Sequence, residues 1–313
     1  MQFASYYNAH LTAKRHSKYF QPLTATMINI NEQTITQAVI ESFAGCEDSR
    51  LRTVLSSLVH HLHDFAREVH LTEKEWLAGV KFLTDAGHIT NDKRQEFILL
   101  SDTLGLSTLI TAQNNQHPVG CTEATVFGPF FVENAPEICN GDDIANGANG
   151  EPCFISGTIK GLDGQPVKGA RIDVWQSDEQ GFYDVQYADL MQSQARARLY
   201  SRDDGSFDFK SILAVPYPIP SDGPVGKLLD ITGRHPWRPA HLHFMIVAPG
   251  YQNLITHVFR AGDPYLDSDA VFGVRSTLVT DWKKHEAGNT PDGNVAHTDF
   301  YTVEYSFVLS PTR

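Results

Sequence analysis

Arg238-Pro-Ala-His-Leu-His-Phe244 carries two histidines one residue apart, His241 and His243. In a β-strand, alternate side chains share a face, so both imidazoles project the same way and can share one metal ion. No Asp or Glu lies within three residues of either histidine, and no Cys is near. The nearest plausible oxygen donors upstream are tyrosines, which are uncommon ligands and point to a particular metal chemistry. Alone, the pair reads more readily as structural than as metal-binding. Arg238 lies close enough in sequence to bring a positive charge to an anionic ligand.

Outward from this stretch the chain reads as β. Cys153 to Ile159 and Ala170 to Trp175 alternate in polarity, and His241 to Val247, Leu254 to Phe259 and Thr302 to Leu309 supply further strands. Turns fall at Leu162-Asp-Gly-Gln165 and Arg202-Asp-Asp-Gly-Ser-Phe207. Short strands at this spacing suggest a sandwich or barrel. Pro216, Pro218, Pro220 and Pro224 mark an extended loop before the histidine strand.

Before residue 125 the pattern is helical. Ile35, Val39 and Phe43 share a face, and Leu51, Leu55, Leu58, Leu62 and Phe65 form an amphipathic stripe between Asp48 and Val69. Thr72-Glu-Lys-Glu75 is a capping-box pattern opening a third helix through Trp76, Val80 and Leu83. Asn91 is expected to begin a fourth, with Phe97, Leu100 and Leu104 on its apolar face. The expected organisation is α+β. An N-terminal extension (1–32) precedes a helical region (33–125) and an antiparallel β-sandwich domain (126–313).

Composition narrows the function. The chain has 313 residues, 41% of them hydrophobic, and a net charge of −12. That charge argues against nucleic acid, whose phosphates need clustered Lys and Arg. No apolar run approaches the ~20 residues needed to span a bilayer, so no membrane insertion is expected. Met1 to Phe20 is polar, without the apolar core of a secretory signal. Cys46, Cys121, Cys139 and Cys153 show no paired spacing. Reduced thiols and a cytoplasmic location are therefore expected.

Several other residues are ambiguous as bare sequence. Tyr183 and Tyr217 read as ordinary amphipathic tyrosines. Val126-Phe-Gly-Pro-Phe-Phe131 reads as an apolar strand broken by a turn. His60, His61, His63, His70 and His88 read as solvated helix histidines, and Asp102 as an exposed helix residue.

These residues acquire meaning together. The chain from about residue 33 resembles the intradiol ring-cleaving dioxygenases, which are non-haem iron(III) enzymes. The resemblance is carried by Gly181-Phe-Tyr183, Pro216-Tyr217, Gly233-Arg-His235, Arg238 to Phe244, Ala248-Pro-Gly250 and Ala261-Gly-Asp-Pro-Tyr265. It implies one Fe(III) per subunit, held by Tyr183, Tyr217, His241 and His243. Phenolate oxygen suits this hard, highly charged cation. Within the family pattern Tyr217 and His243 would be axial, and Tyr183 and His241 equatorial. The substrates would be a dihydroxy- or trihydroxybenzene and O2, with the ring opened between the two oxygenated carbons.

The resemblance assigns catalytic roles as well. Tyr217 would take up a substrate proton, and Arg238 would stabilise developing negative charge. His257 stands where the catechol enzymes have a glutamine, so it can hydrogen-bond and could also carry a proton. A homodimer through the N-terminal helices, with a phospholipid at its interface, is also implied. The iron-loaded protein should be wine-red.

The loop Val126, Phe127, Gly128, Pro129 and Phe130 looks like the branch that cleaves hydroxyquinol (benzene-1,2,4-triol) to 3-hydroxy-cis,cis-muconate, a tautomer of maleylacetate. Leu99 and Asp102 resemble that branch's pocket wall, with Ile219, Pro220 and Val271 as apolar walls. The alternatives are a catechol or chlorocatechol 1,2-dioxygenase, a cupin-like site with a carboxylate ligand, and a non-catalytic β-sandwich metal-binding module.

Overall fold

The computed structural model describes residues 28–91 and 94–312. The first 27 residues, most of the expected extension, lie outside the described residues. The described residues up to Lys81 form one compact unit, and those from Phe82 onward form another.

The first unit contains α1 (Ile35–Ser42), α2 (Ser49–Glu68) and the start of α3 (Glu73–Ile89). Asp48 caps α2, its Oδ1 accepting the Leu51 N–H at 2.9 Å. Thr72 and Glu75 form the expected reciprocal cap: the Thr72 N–H donates to Glu75 Oε2 (2.9 Å), and the Glu75 N–H to Thr72 Oγ1 (3.3 Å). No residue of α2 is buried, so the stripe of Leu51, Leu58, Leu62 and Phe65 is exposed.

The second unit begins within α3 and continues through α4 (Glu96–Thr103) and α5 (Leu106–Asn114) to the strands. The change from helix to strand near residue 125 therefore lies inside this unit. Two expectations for α4 need correction. The helix starts at Glu96 rather than Asn91, and its buried face is Glu96, Leu99, Asp102 and Thr103. Phe97 and Leu104 are exposed.

Two sheets pack face to face. One joins β1 (Pro152–Gly161) to β4 (Ser206–Ile212), β13 (Phe300–Leu309) and β10 (Lys283–His285), in the order β10-β13-β1-β4. The other runs β3-β2-β7-β8-β9, with β2 (Arg171–Trp175), β3 (Arg196–Tyr200), β7 (His241–Val247), β8 (Leu254–Arg260) and β9 (Val279–Thr280). Small ribbons pair β5 (Tyr217–Pro218) with β6 (Trp237–Arg238), and β11 (Gly288–Asn289) with β12 (Val295–Ala296). A helix, α6 (Pro224–Ile231), lies between β5 and β6. The sandwich is not purely antiparallel, because β1 runs parallel to β13 and β8 parallel to β9.

Period-two alternation along β7 does the positioning. Leu242, Phe244 and Ile246 join Ile155, Phe207, Phe307 and Val258 in the core between the sheets. His241, His243 and Met245 therefore take the outer face. Register sets Trp175 of β2 and His257 of β8 directly opposite His243, on that same face.

Candidate metal centre and its cleft

His241 and His243 are both buried, with their Nε2 atoms 3.2 Å apart. Tyr183 Oη lies 2.8 Å from His243 Nε2 and 3.3 Å from Tyr217 Oη. Two imidazole nitrogens and two phenol oxygens thus converge on one point outside the sheet. The β5–β6 ribbon pairs Tyr217 with Arg238, and Arg238 Nη1 lies 3.3 Å from both Tyr217 Oη and His241 Nε2.

The tautomers follow from the hydrogen bonds. His241 Nδ1–H donates to the Pro239 carbonyl at 2.7 Å, which leaves its Nε2 as a lone pair. His243 Nδ1 meets His257 Nε2 at 2.8 Å, and His257 Nδ1 meets Thr125 Oγ1 at 2.8 Å. For His243 Nε2 to present a lone pair, the chain must run one way: His243 Nδ1–H donates to His257 Nε2, and His257 Nδ1–H to Thr125 Oγ1. Both Nε2 lone pairs then point into the space that the two phenol oxygens share, a donor set that suits a cation.

Burial pushes His241 down to about 3, helped by the charge on Arg238. It holds His243 and His257 far below the usual histidine range too. All three are neutral, as ligand or supporting imidazoles must be. Burial, with Tyr217 alongside, raises Tyr183 well above the usual phenol range. Ionising it needs a compensating cation, and a trivalent one suits this nitrogen and oxygen donor set. His257 is close enough to be grouped with the other two histidines. Its Nε2 is turned to His243 Nδ1 at 2.8 Å and not toward the two phenols.

Packing fixes the donors. Trp175 stacks on His243 with ring centres 4.6 Å apart, and Phe130 stacks on Tyr183 at 4.4 Å. The buried Arg196 holds the next residue, Asp184, through its Nε (2.7 Å), and its Nη1 donates to the Phe130 carbonyl (2.9 Å). Gly181 explains the Gly-Phe-Tyr motif. Its φ is +84°, and a Cβ there would come within 2.6 Å of Tyr217 Cβ.

Beside the donors opens a cleft of about 1040 Å³. Tyr217 and Arg238 line it, as do the expected Leu99, Asp102, Val126, Gly128, Pro129, Phe130, Ile219, Pro220 and Val271. Phe127 does not: it turns back onto Phe131 and Trp175, at 4.7 and 5.9 Å. Asp102 is buried (7% exposed), contrary to the expectation of an exposed helix residue. Burial raises its carboxyl above the usual range, partly offset by Ser107 and Arg238. Leu99, Ile219, Val225, Leu229 and Val271 form a second small core behind this wall. Glu96 ties α4 to α6, its Oε1 accepting the Val225 N–H at 3.0 Å.

Sequence reasoning missed Thr125, Trp175, Arg196 and Asp269. Trp175 was legible in retrospect, because a strand pairing with His243 must present a residue beside it. The other three depend on tertiary contacts. Their side chains meet residues distant in sequence, and no local pattern announces that.

The second half matches the family model described as Dioxygenase over residues 126–311, and the first half that described as Catechol dioxygenase N terminus over 48–122. The 6-chlorohydroxyquinol 1,2-dioxygenase of Cupriavidus pinatubonensis is 55% identical over 286 residues, covering 91% of this chain and 100% of that protein. The hydroxyquinol 1,2-dioxygenase of Nocardioides simplex is 53% identical over 281 residues, 90% of this chain and 96% of that one. The crystal structure of a hydroxyquinol 1,2-dioxygenase from Pseudomonas putida superposes with a TM-score of 0.83 at 45% identity, covering 90% of this chain and 99% of that one.

Proposed function

The chain belongs to the intradiol ring-cleavage dioxygenases, non-haem iron oxidoreductases, and we propose that it cleaves hydroxyquinol with O2 to 3-hydroxy-cis,cis-muconate. The carrying observation is the buried carboxylate of Asp102 on the wall of a cleft that ends at Tyr217 and Arg238. A catechol ring offers nothing to such a group, whereas a third hydroxyl can donate to it. A site that pairs a buried hydroxyl discriminates strongly against the analogue lacking it. A 6-chloro analogue keeps all three hydroxyls and falls within the same proposal.

Tyr183, Tyr217, His241 and His243 are the residues that would hold one Fe(III) per subunit. The family generally uses that ion, which when bound supplies Lewis acidity and a template for the two neighbouring diol oxygens. Tyr217 Oη, at the cleft wall, is the group set to accept a hydroxyl proton from the diol. Arg238, charged and 3.3 Å from that oxygen, stabilises negative charge developing beside it. Leu99, Val126, Pro129, Phe130, Ile219, Pro220 and Val271 hold the ring and exclude water. His257 acts from behind, orienting His243.

The exposed stripe on α2 supports a homodimer through the helical region, with a phospholipid chain at that interface. Light scattering and mass spectrometry of extracted lipid test these two points. Among the described residues no helix is long and apolar enough to cross a membrane. The functional reading is tested by oxygen uptake and product identification on iron-loaded protein given hydroxyquinol. Oxygen uptake without ring-opened product would defeat it.

A further inference from the structure

We propose that Asp269 is a positioning residue that aims Arg238 and seats Val271 together, so that one carboxylate governs both turnover and the choice of diol. This rests on the reading above, in which Arg238 and Asp102 face the substrate.

Asp269 is buried and uses both of its oxygens. Oδ1 accepts Arg238 Nε at 3.1 Å and the Val271 N–H at 3.3 Å. Oδ2 accepts Arg238 Nη2 at 3.4 Å and the Gly273 N–H at 2.9 Å. The Phe272 N–H donates to the Asp269 carbonyl at 3.0 Å, and Phe272 itself sits at φ +58°. The loop is therefore wrapped around the carboxylate. Thr108 Oγ1 on the Val271 carbonyl (3.1 Å) and Arg234 Nη2 on the Ala270 carbonyl (2.9 Å) hold it from outside.

Two consequences follow. With Nε and Nη2 taken by Asp269, Arg238 directs Nη1 at Tyr217 and His241. Charge also balances in a particular way. Arg238 feels two buried carboxylates, Asp269 and Asp102, and Asp269 has claimed it. Asp102, on the wall of the same cleft and already reached by Ser107, then stays out of that ion pair and keeps lone pairs for a substrate hydroxyl. Without Asp269, the uncompensated guanidinium would turn to Asp102, because a buried charge left unpaired is costly. Both the aim of Nη1 and the hydroxyl acceptor would then be lost.

The test uses iron-loaded full-length protein carrying Asp269→Asn or Gly273→Ala, each also in an Arg238→Met background. A Cβ at Gly273 would sit 3.1 Å from both Arg238 Nη2 and Asp269 Oδ2, a mild push on the same clamp. Iron content and the visible spectrum should be unchanged, because none of the four donor residues is altered. Asp269→Asn should lower kcat on hydroxyquinol about 10- to 100-fold. It should also reduce the hydroxyquinol-to-catechol ratio of kcat/KM. In the Arg238→Met background it should cost less than about twofold more. Gly273→Ala should move kcat and the ratio in the same directions by less.

Equal losses in both backgrounds, or an unchanged ratio, would overturn the proposal. If the Asn variant does not fold, parental kcat and ratio in Gly273→Ala would overturn it instead. A parent inactive on every diol defeats the functional reading and this proposal with it. An active parent with additive losses defeats this proposal alone.

Discussion

His257 Nε2 lies 2.8 Å from Nδ1 of His243, on the opposite side of that ring from the phenol of Tyr183. Three imidazoles cluster, but only His241 and His243 turn a nitrogen toward the phenols. His257→Gln should therefore keep the metal and the colour, while iron affinity falls about 10- to 100-fold. His243→Ala should lose both. Metal analysis after dialysis against a chelator checks this, and a colourless His257→Gln protein would make His257 a ligand.

Tyr217→Phe removes one phenol oxygen and the hydroxyl facing Arg238. The wine-red absorbance should weaken without vanishing, since Tyr183 remains. Turnover should drop by at least about 100-fold, as expected when a general base is lost. A stopped-flow comparison with the parent measures both, and parental rates would remove Tyr217 from the mechanism.

Gly181→Ala puts a methyl into Tyr217 at a backbone φ of +84°. Strain of this kind costs about 1–3 kcal/mol. The expected result is a folded protein that binds iron poorly. Full iron occupancy at parental stability would show that the close approach does not matter.

Asp102 gives a pH signature. Burial raises its carboxyl pKa on folding, so the native state holds the proton more tightly than the unfolded chain. Its ionisation therefore costs stability as pH rises through the raised value, and costs nothing well below the ordinary aspartate range. Asp102→Asn should be more stable than the parent at neutral pH, with the advantage shrinking at acid pH. Its kcat/KM for hydroxyquinol should fall about 10- to 100-fold, as for a lost hydrogen bond to a charged group. Urea denaturation at two pH values tests the first part. A destabilised variant at neutral pH would mean that Asp102 is a structural partner rather than a substrate acceptor.

The sandwich and the histidine face were legible because period-two alternation in β7 is a local property. The α2 stripe was legible for the same reason at helical period. The face of α4 was not. Its buried positions include Glu96 and Asp102, whose burial depends on the Val225 N–H and the cleft, and polarity alone assigns such residues to solvent. The parallel pairing of β1 with β13 joins segments about 150 residues apart, and no local signal gives its direction. Tyr183 and Tyr217 could be singled out only by family resemblance, since spacing does not distinguish them from the other tyrosines. Phe127 reads in sequence like its cleft-lining neighbours, but the turn at Gly128-Pro129 sends it toward Trp175.

The most direct measurement is kcat/KM for hydroxyquinol and for catechol on one iron-loaded preparation, followed by oxygen uptake. Hydroxyquinol should be clearly preferred, with one O2 consumed per ring opened. Turnover of catechol equal to or better than that of hydroxyquinol would contradict it.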